Sequence, residues 1–273
     1  TAPNNIDVTP LNVGLLTTPE YLDTAVVNGT TYYYVVEAVD TGSNATPAAP
    51  VSATPTAPLT IQVNFNEETG TQPADYLLDF GQPYGQRTLA SQGGGTYTYG
   101  WVNPANGQPL DLTANTRGNG RDRGTSQSDQ RLDTLVHMQG NDITKDGDNF
   151  SGVDTEGIWE IELPDGVYQV TIAAGDPNAN DYVNNPEFHA LNVEGAEAIF
   201  GFAPVGTDGA AGQHQTATIV VAVTDGKLTV DAQGGENTKI NYIDIVELLP
   251  TPPAITAVNP ANRATDVELL VGI

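Results

Sequence analysis

The chain has 273 residues, of which 38% are hydrophobic, so it is long enough to bury a core in one to three domains. Its 34 acidic and 9 basic residues give a formal net charge of -25, which repels phosphate groups and argues against nucleic acid as a partner. There is no cysteine to form a disulfide, and no apolar run approaches the roughly 20 residues that a membrane helix needs.

The abundant turn residues, 29 Gly and 19 Pro, stand among many Thr, Val and Tyr, a mixture that favours short strands and turns over helices. We therefore expect an all-β protein. Acidic side chains in this number also make a bound divalent cation chemically reasonable.

Residues 1–57 contain one clear strand at 30–39, with a turn after it and a short strand at 51–55. The segments YLD at 21–23, NGTTYYYVV at 28–36 and VSATP at 51–55 resemble the C-terminal half of a fibronectin type III domain. Half a sandwich exposes its core face. The resemblance therefore implies either that neighbouring β-domains or other copies of the chain supply the missing strands, or that this sequence is a window on a larger chain.

Two proline-rich stretches, at 54–58 and 250–253, bracket residues 58–250, which we predict to be one all-β domain. After the second stretch, within 251–273, the segment 254–267 resembles the opening strands of a bacterial immunoglobulin-like domain. β-Modules joined by Pro/Thr linkers are typical of large secreted or cell-surface bacterial proteins, so we expect an extracellular location.

The stretch 158–176 organises the central domain. Two segments in which apolar and polar residues alternate flank Pro164-Asp165-Gly166, and this pattern predicts a β-hairpin that ends at Asp176. A second hairpin is predicted where strands at 216–223 and 227–232 flank Asp225-Gly226. By contrast, 67–157 reads mostly as loop, but its aromatic content predicts that it is ordered and packed over the sandwich.

Several motifs of the central domain resemble a malectin-like domain, which has the galactose-binding jelly-roll fold. They are QVNF at 62–65, YLLDFG at 76–81, YG at 84–85, YGW at 99–101, RDR at 121–123, DTLVHM at 133–138, GDP at 175–177 and KINYIDI at 239–245. The resemblance implies a jelly-roll β-sandwich that binds carbohydrate through loop aromatics and an aspartate. The positions that match are Tyr84, Tyr99, Trp101, His137 and Asp176.

These residue types suit a sugar, because aromatic rings can lie against its C–H faces and a carboxylate accepts bonds from its hydroxyls. The alternative for Tyr99 and Trp101 is that their rings anchor the loop in the core. For Asp176 the alternative is a turn residue that bonds its own backbone. Composition and pattern leave these alternatives open.

Four of the nine basic residues, Arg117, Arg121, Arg123 and Arg131, fall within fifteen positions of this acidic chain. A planar guanidinium suits the carboxylate of a uronate or a sulfate on a polysaccharide. The alternating aspartates at 122, 129 and 133 favour the other interpretation, in which the arginines pair internally and order the loop.

A third group of polar residues lies at 141–154. Carboxylates spaced around a glycine have the ligand type of a calcium loop, although the spacing of an EF-hand is missing. The calcium ligands would be Asp142, Asp146, Asp148 and Asp154. The alternative is a solvated acidic loop without metal.

The sequence contains no nucleophile elbow, no HExxH motif and no cysteine nucleophile, so we expect no enzyme activity. We expect a non-catalytic carbohydrate-binding module in a secreted or cell-surface protein, with a polysaccharide or glycan as partner. One alternative is a structural spacer or adhesin segment, stiffened by calcium. Another is an accessory domain of a glycan-degrading enzyme.

Overall fold

The computed structural model describes residues 10–16, 21–40, 42–89, 95–124, 127–145, 150–177, 187–207, 209–249 and 268–272. The chain divides into two compact units, residues 59–249 and the terminal segments 1–58 with 250–273. Among the described residues, one short α-helix, α1 (Gly140–Lys145), accompanies the strands. In chain order, the strands are β1 (Tyr32–Val39), β2 (Ala45–Pro47), β3 (Val51–Ala53), β4 (Thr60–Phe65), β5 (Leu77–Asp79), β6 (Gly85–Leu89), β7 (Gly95–Val102), β8 (Gly120–Asp122), β9 (Thr134–His137), β10 (Ile158–Glu162), β11 (Gly166–Gly175), β12 (His189–Val193), β13 (Ala196–Phe202), β14 (His214–Val223), β15 (Lys227–Asp231), β16 (Lys239–Glu247) and β17 (Glu268–Gly272).

The central unit is built from two sheets. The six-stranded sheet has the order β13-β12-β15-β10-β7-β6. The seven-stranded sheet has the order β14-β11-β16-β4-β5, with β9 paired to β16 and β8 to β9. Trp159 and Ile161 of the first sheet and Val170 and Ile172 of the second belong to one buried cluster. Apolar faces of two sheets that share a core make a sandwich, so the predicted all-β class is confirmed.

Both predicted hairpins are wrong, although their strands form where expected. Strand β10 pairs with β7 and β15 in the six-stranded sheet, whereas β11 pairs with β14 and β16 in the other. Strands β14 and β15 are divided between the sheets in the same way. The alternation of apolar and polar residues shows that each strand buries one face. It is equally compatible with two strands joined by a hairpin and with two strands joined by a corner that leads from one sheet to the other.

The two corners contact each other directly. The backbone N–H of Gly226 donates to Oδ1 of Asp165 at 3.0 Å, and the N–H of Leu163 donates to the carbonyl of Gly226 at 3.0 Å. Asp165 and Gly226 therefore stabilise the neighbouring corner as well as their own turn. Asp and Gly favour a reversal of the chain, but they do not specify which sheet the next strand joins.

The stretch 67–157 is ordered and packed on the core, and it holds more regular structure than expected. It contributes strands β5 to β9 and helix α1. The residues Tyr97, Tyr99 and Trp101 alternate with Thr98 and Gly100 along β7, which has partners on both sides. This alternation is an ordinary strand signal.

In the terminal unit, β1 pairs with β2, β3 and β17, all antiparallel. Val36 is buried against Leu11, Leu16 and Tyr34, and its backbone lies opposite Val271. The described strand of the C-terminal segment thus joins the sheet of the first 57 residues. The assignment of these segments to fibronectin type III and immunoglobulin-like domains stays a prediction.

Candidate functional site

Two of the five predicted sugar-binding residues lie in the core. The side chains of Tyr99 and Trp101 are 0% exposed. The Tyr99 hydroxyl donates to the carbonyl of Leu78 at 2.8 Å, and the Trp101 indole donates to Oδ1 of Asp79 at 2.8 Å. Their polar atoms are satisfied inside the sandwich, so neither ring has a free face for a sugar.

Tyr84 is half-buried and lies apart from the other candidates. Its hydroxyl donates to Glu162 Oε1 at 3.3 Å, and Lys227 Nζ lies 5.1 Å from its ring centroid. A cleft of about 410 Å³ is lined by Glu162, Leu163, Pro164, Asp225, Gly226 and Lys227. Glu162 precedes β11 and Asp176 follows it, so Tyr84 contacts a residue at the opposite end of that ten-residue strand from Asp176.

The remaining two candidates, His137 and Asp176, lie together at one end of the sandwich. Lys239 lies opposite His137 in the pairing of β16 with β9, and its Nζ is 3.2 Å from Asp176 Oδ2. Asp176 follows the last residue of β11, and Gly175 lies opposite His214. Antiparallel strands bring the ends of some chain segments beside the starts of others, which gathers these side chains.

We call the charged group at this end the ion cluster; it consists of Arg123, Asp176, Glu187, His189 and Lys239. Arg123 donates a bidentate pair to Asp176, Nε to Oδ1 at 3.0 Å and Nη2 to Oδ2 at 2.6 Å. Lys239 also pairs with Glu187, whose Oε2 lies 3.3 Å from His189 Nε2. Asp176 therefore holds Arg123 and Lys239 in place rather than only bonding its own turn.

The ion cluster is almost dry. Asp176 is 2% exposed, Lys239 3% and His189 0%, whereas the Arg123 side chain keeps 20% exposure. Burial by itself raises the pKa of Glu187, but the Lys239 ammonium and the bond from His189 outweigh it and hold that pKa below its usual value. Glu187 thus stays charged, and Arg123 is the member that reaches the surface.

Both other histidines near the cluster are held neutral. Burial lowers the pKa of His137 well below its usual value, and the cations Lys239 and Arg121 act in the same direction. Burial also lowers the pKa of His214 to about 4, against the opposing charge of Asp176. Neutral imidazoles can donate from one ring nitrogen and accept at the other, as sugar hydroxyls require.

The arginine-rich stretch is largely paired within the chain. Arg131 lies 2.6 Å from Asp129 and 3.1 Å from Asp244, and Arg117 lies 3.7 Å from Glu67. The interpretation as internal pairing is therefore correct for Arg131, while Arg123 uses Asp176 instead of a neighbouring aspartate.

The predicted calcium ligands are only partly described. Asp142 on α1 accepts the backbone N–H of Asn237 at 2.9 Å, and Asp154 is exposed. Asp146 and Asp148 lie outside the described residues. Within the described part of the chain, no three His, Cys, Asp or Glu side chains are grouped to hold a metal ion, and the calcium site stays a prediction.

Sequence reasoning missed three members of the ion cluster: Glu187, His189 as a polar partner, and Lys239. The signal for Lys239 was its place on β16, where it shares a period of two with Ile243 and Ile245. A lysine in phase with core residues must find a counter-charge when it is buried. The same reasoning from sequence could not have named that counter-charge.

No protein-family model matches the chain, and no curated protein sequence matches it. The solved structures that resemble it include protein YXIM of Bacillus subtilis, with 18% identity and a TM-score of 0.38 over 70% of this chain and 40% of that chain. They also include a calcium-binding mutant of Bacteroides uniformis β-glucuronidase 2, with 11% identity and a TM-score of 0.41 over 79% and 22% of the two chains.

A family 35 carbohydrate-binding module from Clostridium thermocellum matches at 17% identity and a TM-score of 0.24, over 47% of this chain and 92% of the module. All three TM-scores are below 0.5, so these similarities do not assign a function. Within the described residues, no helix is long and apolar enough to cross a membrane.

Proposed function

We propose that the unit of residues 59–249 is a non-catalytic carbohydrate-binding module whose site is the sandwich end that carries the ion cluster. The observation that supports this most is the meeting of His137 and Asp176 there with Arg123 and Lys239. These residues come from four separate strand ends on a packed β scaffold. Such convergence of polar groups on rigid elements is how proteins build oriented hydrogen bonds to a polar ligand.

The roles differ from those implied by the malectin resemblance. Asp176 is a positioning residue, since both of its oxygens face Arg123 or Lys239. The partly exposed Arg123 is the group that meets the sugar. Because its guanidinium is locked by two bonds to Asp176, little conformational freedom is lost when a ligand binds.

The charge state of the cluster supports a binding role without catalysis. A general acid in glycoside hydrolysis needs a carboxyl group whose pKa is raised. The pKa of Glu187 is instead lowered by Lys239 and His189 against the effect of burial. Asp176 likewise lies against two cations, which favour its charged form.

In this proposal the module belongs to a secreted or cell-surface bacterial protein of several β-domains, and the terminal unit connects it to its neighbours. Glycans are abundant outside the cell, and the high negative charge keeps such a chain soluble.

The test is retention of the purified chain on a broad glycan array. We expect the wild type to be retained by at least one glycan class and Arg123→Gln to lose most of that retention. Asp176→Asn should lose it as well, and its free energy of unfolding should fall by about 3 kcal/mol, because the ion pairs of Asp176 with Arg123 and with the buried Lys239 are broken. Urea denaturation checks the second effect.

Glu160→Gln is the matched control, since it removes an ion pair with Lys227 at 2.8 Å on the six-stranded sheet, away from the ion cluster. Its retention should equal that of the wild type. If the wild type binds no glycan at all, the carbohydrate proposal is refuted and a structural spacer is the remaining interpretation.

A further inference from the structure

Among the described residues, Arg121 is the one arginine of the 117–131 stretch that forms no ion pair. It lies on β8 and is 5% exposed. Its Nη1 donates to the carbonyls of Gly118 and Gly120 at 2.9 and 2.6 Å. No carboxylate oxygen among the described residues lies within 4.0 Å of it, whereas Arg117, Arg123 and Arg131 each have such a partner.

The ion pairs around Arg121 leave its own positive charge without a direct partner among the described residues. Arg123 and Lys239 are balanced by Asp176 and Glu187, and His189 lies within the same group. Arg121 adds one further positive charge beside this neutral set, in a chain of formal charge -25. A desolvated cation gains more from an incoming anion than a hydrated one does, because the local dielectric constant is lower.

The surroundings of Arg121 offer both an apolar surface and a further polar group. Its Cζ lies 5.5 Å from the centroid of the Phe150 ring, and the His137 ring packs against the same phenyl ring at 5.2 Å. Nδ1 of His137 is buried and has no hydrogen-bond partner among the described residues. Burial, together with Arg117 and Arg123, lowers the pKa of Arg121 to about 10, although Glu67 and Asp176 act in the opposite direction.

Resting on the proposed function, we infer that Arg121, with His137 and Phe150, binds an oxyanion carried on a saccharide, either the carboxylate of a uronic acid or a sulfate ester. The guanidinium supplies planar donors to two oxygens of such a group. Phe150 offers an apolar face beside the sugar ring, and neutral His137 offers one more polar contact. A neutral sugar brings no counter-charge for Arg121 and therefore binds more weakly.

The direct test is titration of the wild-type chain followed by NMR of its imidazole groups, at about 0.15 M salt, where long-range repulsion by the net charge is screened. The sequence has only three histidines, so the His137 signals can be assigned with one variant. The matched probes are D-glucuronate against D-glucose, and galactose 6-sulfate against galactose. We expect a charged member of a pair to shift the His137 signals strongly and its neutral partner to leave them unchanged.

Variants then locate the charge responsible. Arg121→Gln should weaken binding of the charged sugar about tenfold or more, the effect of losing a charge-assisted hydrogen bond. Arg117→Gln removes the same charge from an arginine whose side chain is 51% exposed, and it should change binding less than about twofold. The wild-type titration does not depend on whether Arg121→Gln folds.

The inference is overturned if neither charged sugar shifts His137, if both arginine variants weaken binding equally, or if inorganic sulfate binds and no charged sugar does. If neutral glycans on the array retain the wild type and the Arg121→Gln variant equally well, this inference is overturned and the proposed function stays intact. If no glycan on the array retains the wild-type chain, the proposed function itself is refuted.

Discussion

At the scale of single residues, Asp79 explains why the two tryptophans are core residues. Its Oδ1 accepts the Trp101 indole N–H at 2.8 Å, and its Oδ2 accepts that of Trp159 at 2.9 Å. The carboxyl is fully buried, and burial raises its pKa, although Gly81 and Trp101 donate to it. One acidic side chain thus satisfies two buried indoles that would otherwise have no partner.

We predict that Asp79→Ala lowers the free energy of unfolding by about 2–6 kcal/mol, since each orphaned buried donor costs about 1–3 kcal/mol. Asp79→Asn keeps one carbonyl oxygen as an acceptor and should cost less than half as much. Urea denaturation followed by tryptophan fluorescence measures both values. Equal losses in the two variants would show that the indole bonds contribute little.

At the scale of elements, the end of β11 determines where Asp176 lies. Gly175 has a φ of +148°, and a Cβ placed on it would come within 2.2 Å of the Gln213 carbonyl oxygen. Only glycine allows β11 and β14 to approach this closely while the chain turns into the ion cluster. The position of Asp176 therefore depends on Gly175, a residue without a side chain.

Gly175→Ala should destabilise the chain by more than about 2 kcal/mol, because the new methyl group meets backbone that cannot easily move. Gly195→Ala is the matched control, for it has a φ of +69° and no atom within 4 Å of an added Cβ. Gly195→Ala should lower the free energy of unfolding by only about 1–2 kcal/mol, because alanine disfavours a positive φ. Thermal melting of the two variants makes the comparison, and a smaller loss for Gly175→Ala would contradict it.

At the scale of the whole molecule, buried histidines make stability depend on pH. Burial lowers the pKa of His214 from 6.5 to about 4 and lowers those of His137 and His189 as well. Between these pH values the unfolded chain binds more protons at His214 than the folded chain. The contribution of His214 to the free energy of unfolding is therefore present in full above pH 6.5 and is lost as the pH falls towards 4.

The shift at His214 alone corresponds to about 3 kcal/mol lost across that interval, because one pKa unit is worth about 1.4 kcal/mol. We expect His214→Gln to remove this part of the pH dependence, so that its free energy of unfolding falls less between pH 7 and pH 4. Urea denaturation at several pH values compares the two chains. Parallel profiles would mean that His214 is not the group that titrates.

The sequence by itself determined that β10, β11, β14 and β15 become strands with one face more buried than the other, and that proline-rich stretches near 58 and 250 adjoin the central unit. Such features depend on residues a few positions apart, as in the alternation along Trp159 and Ile161. Only the tertiary structure decided that β10 and β11 lie in different sheets. It also decided that Trp101 is core and that Arg123 meets Asp176, because burial and ion pairing join residues far apart in the chain, whose partners no local pattern specifies.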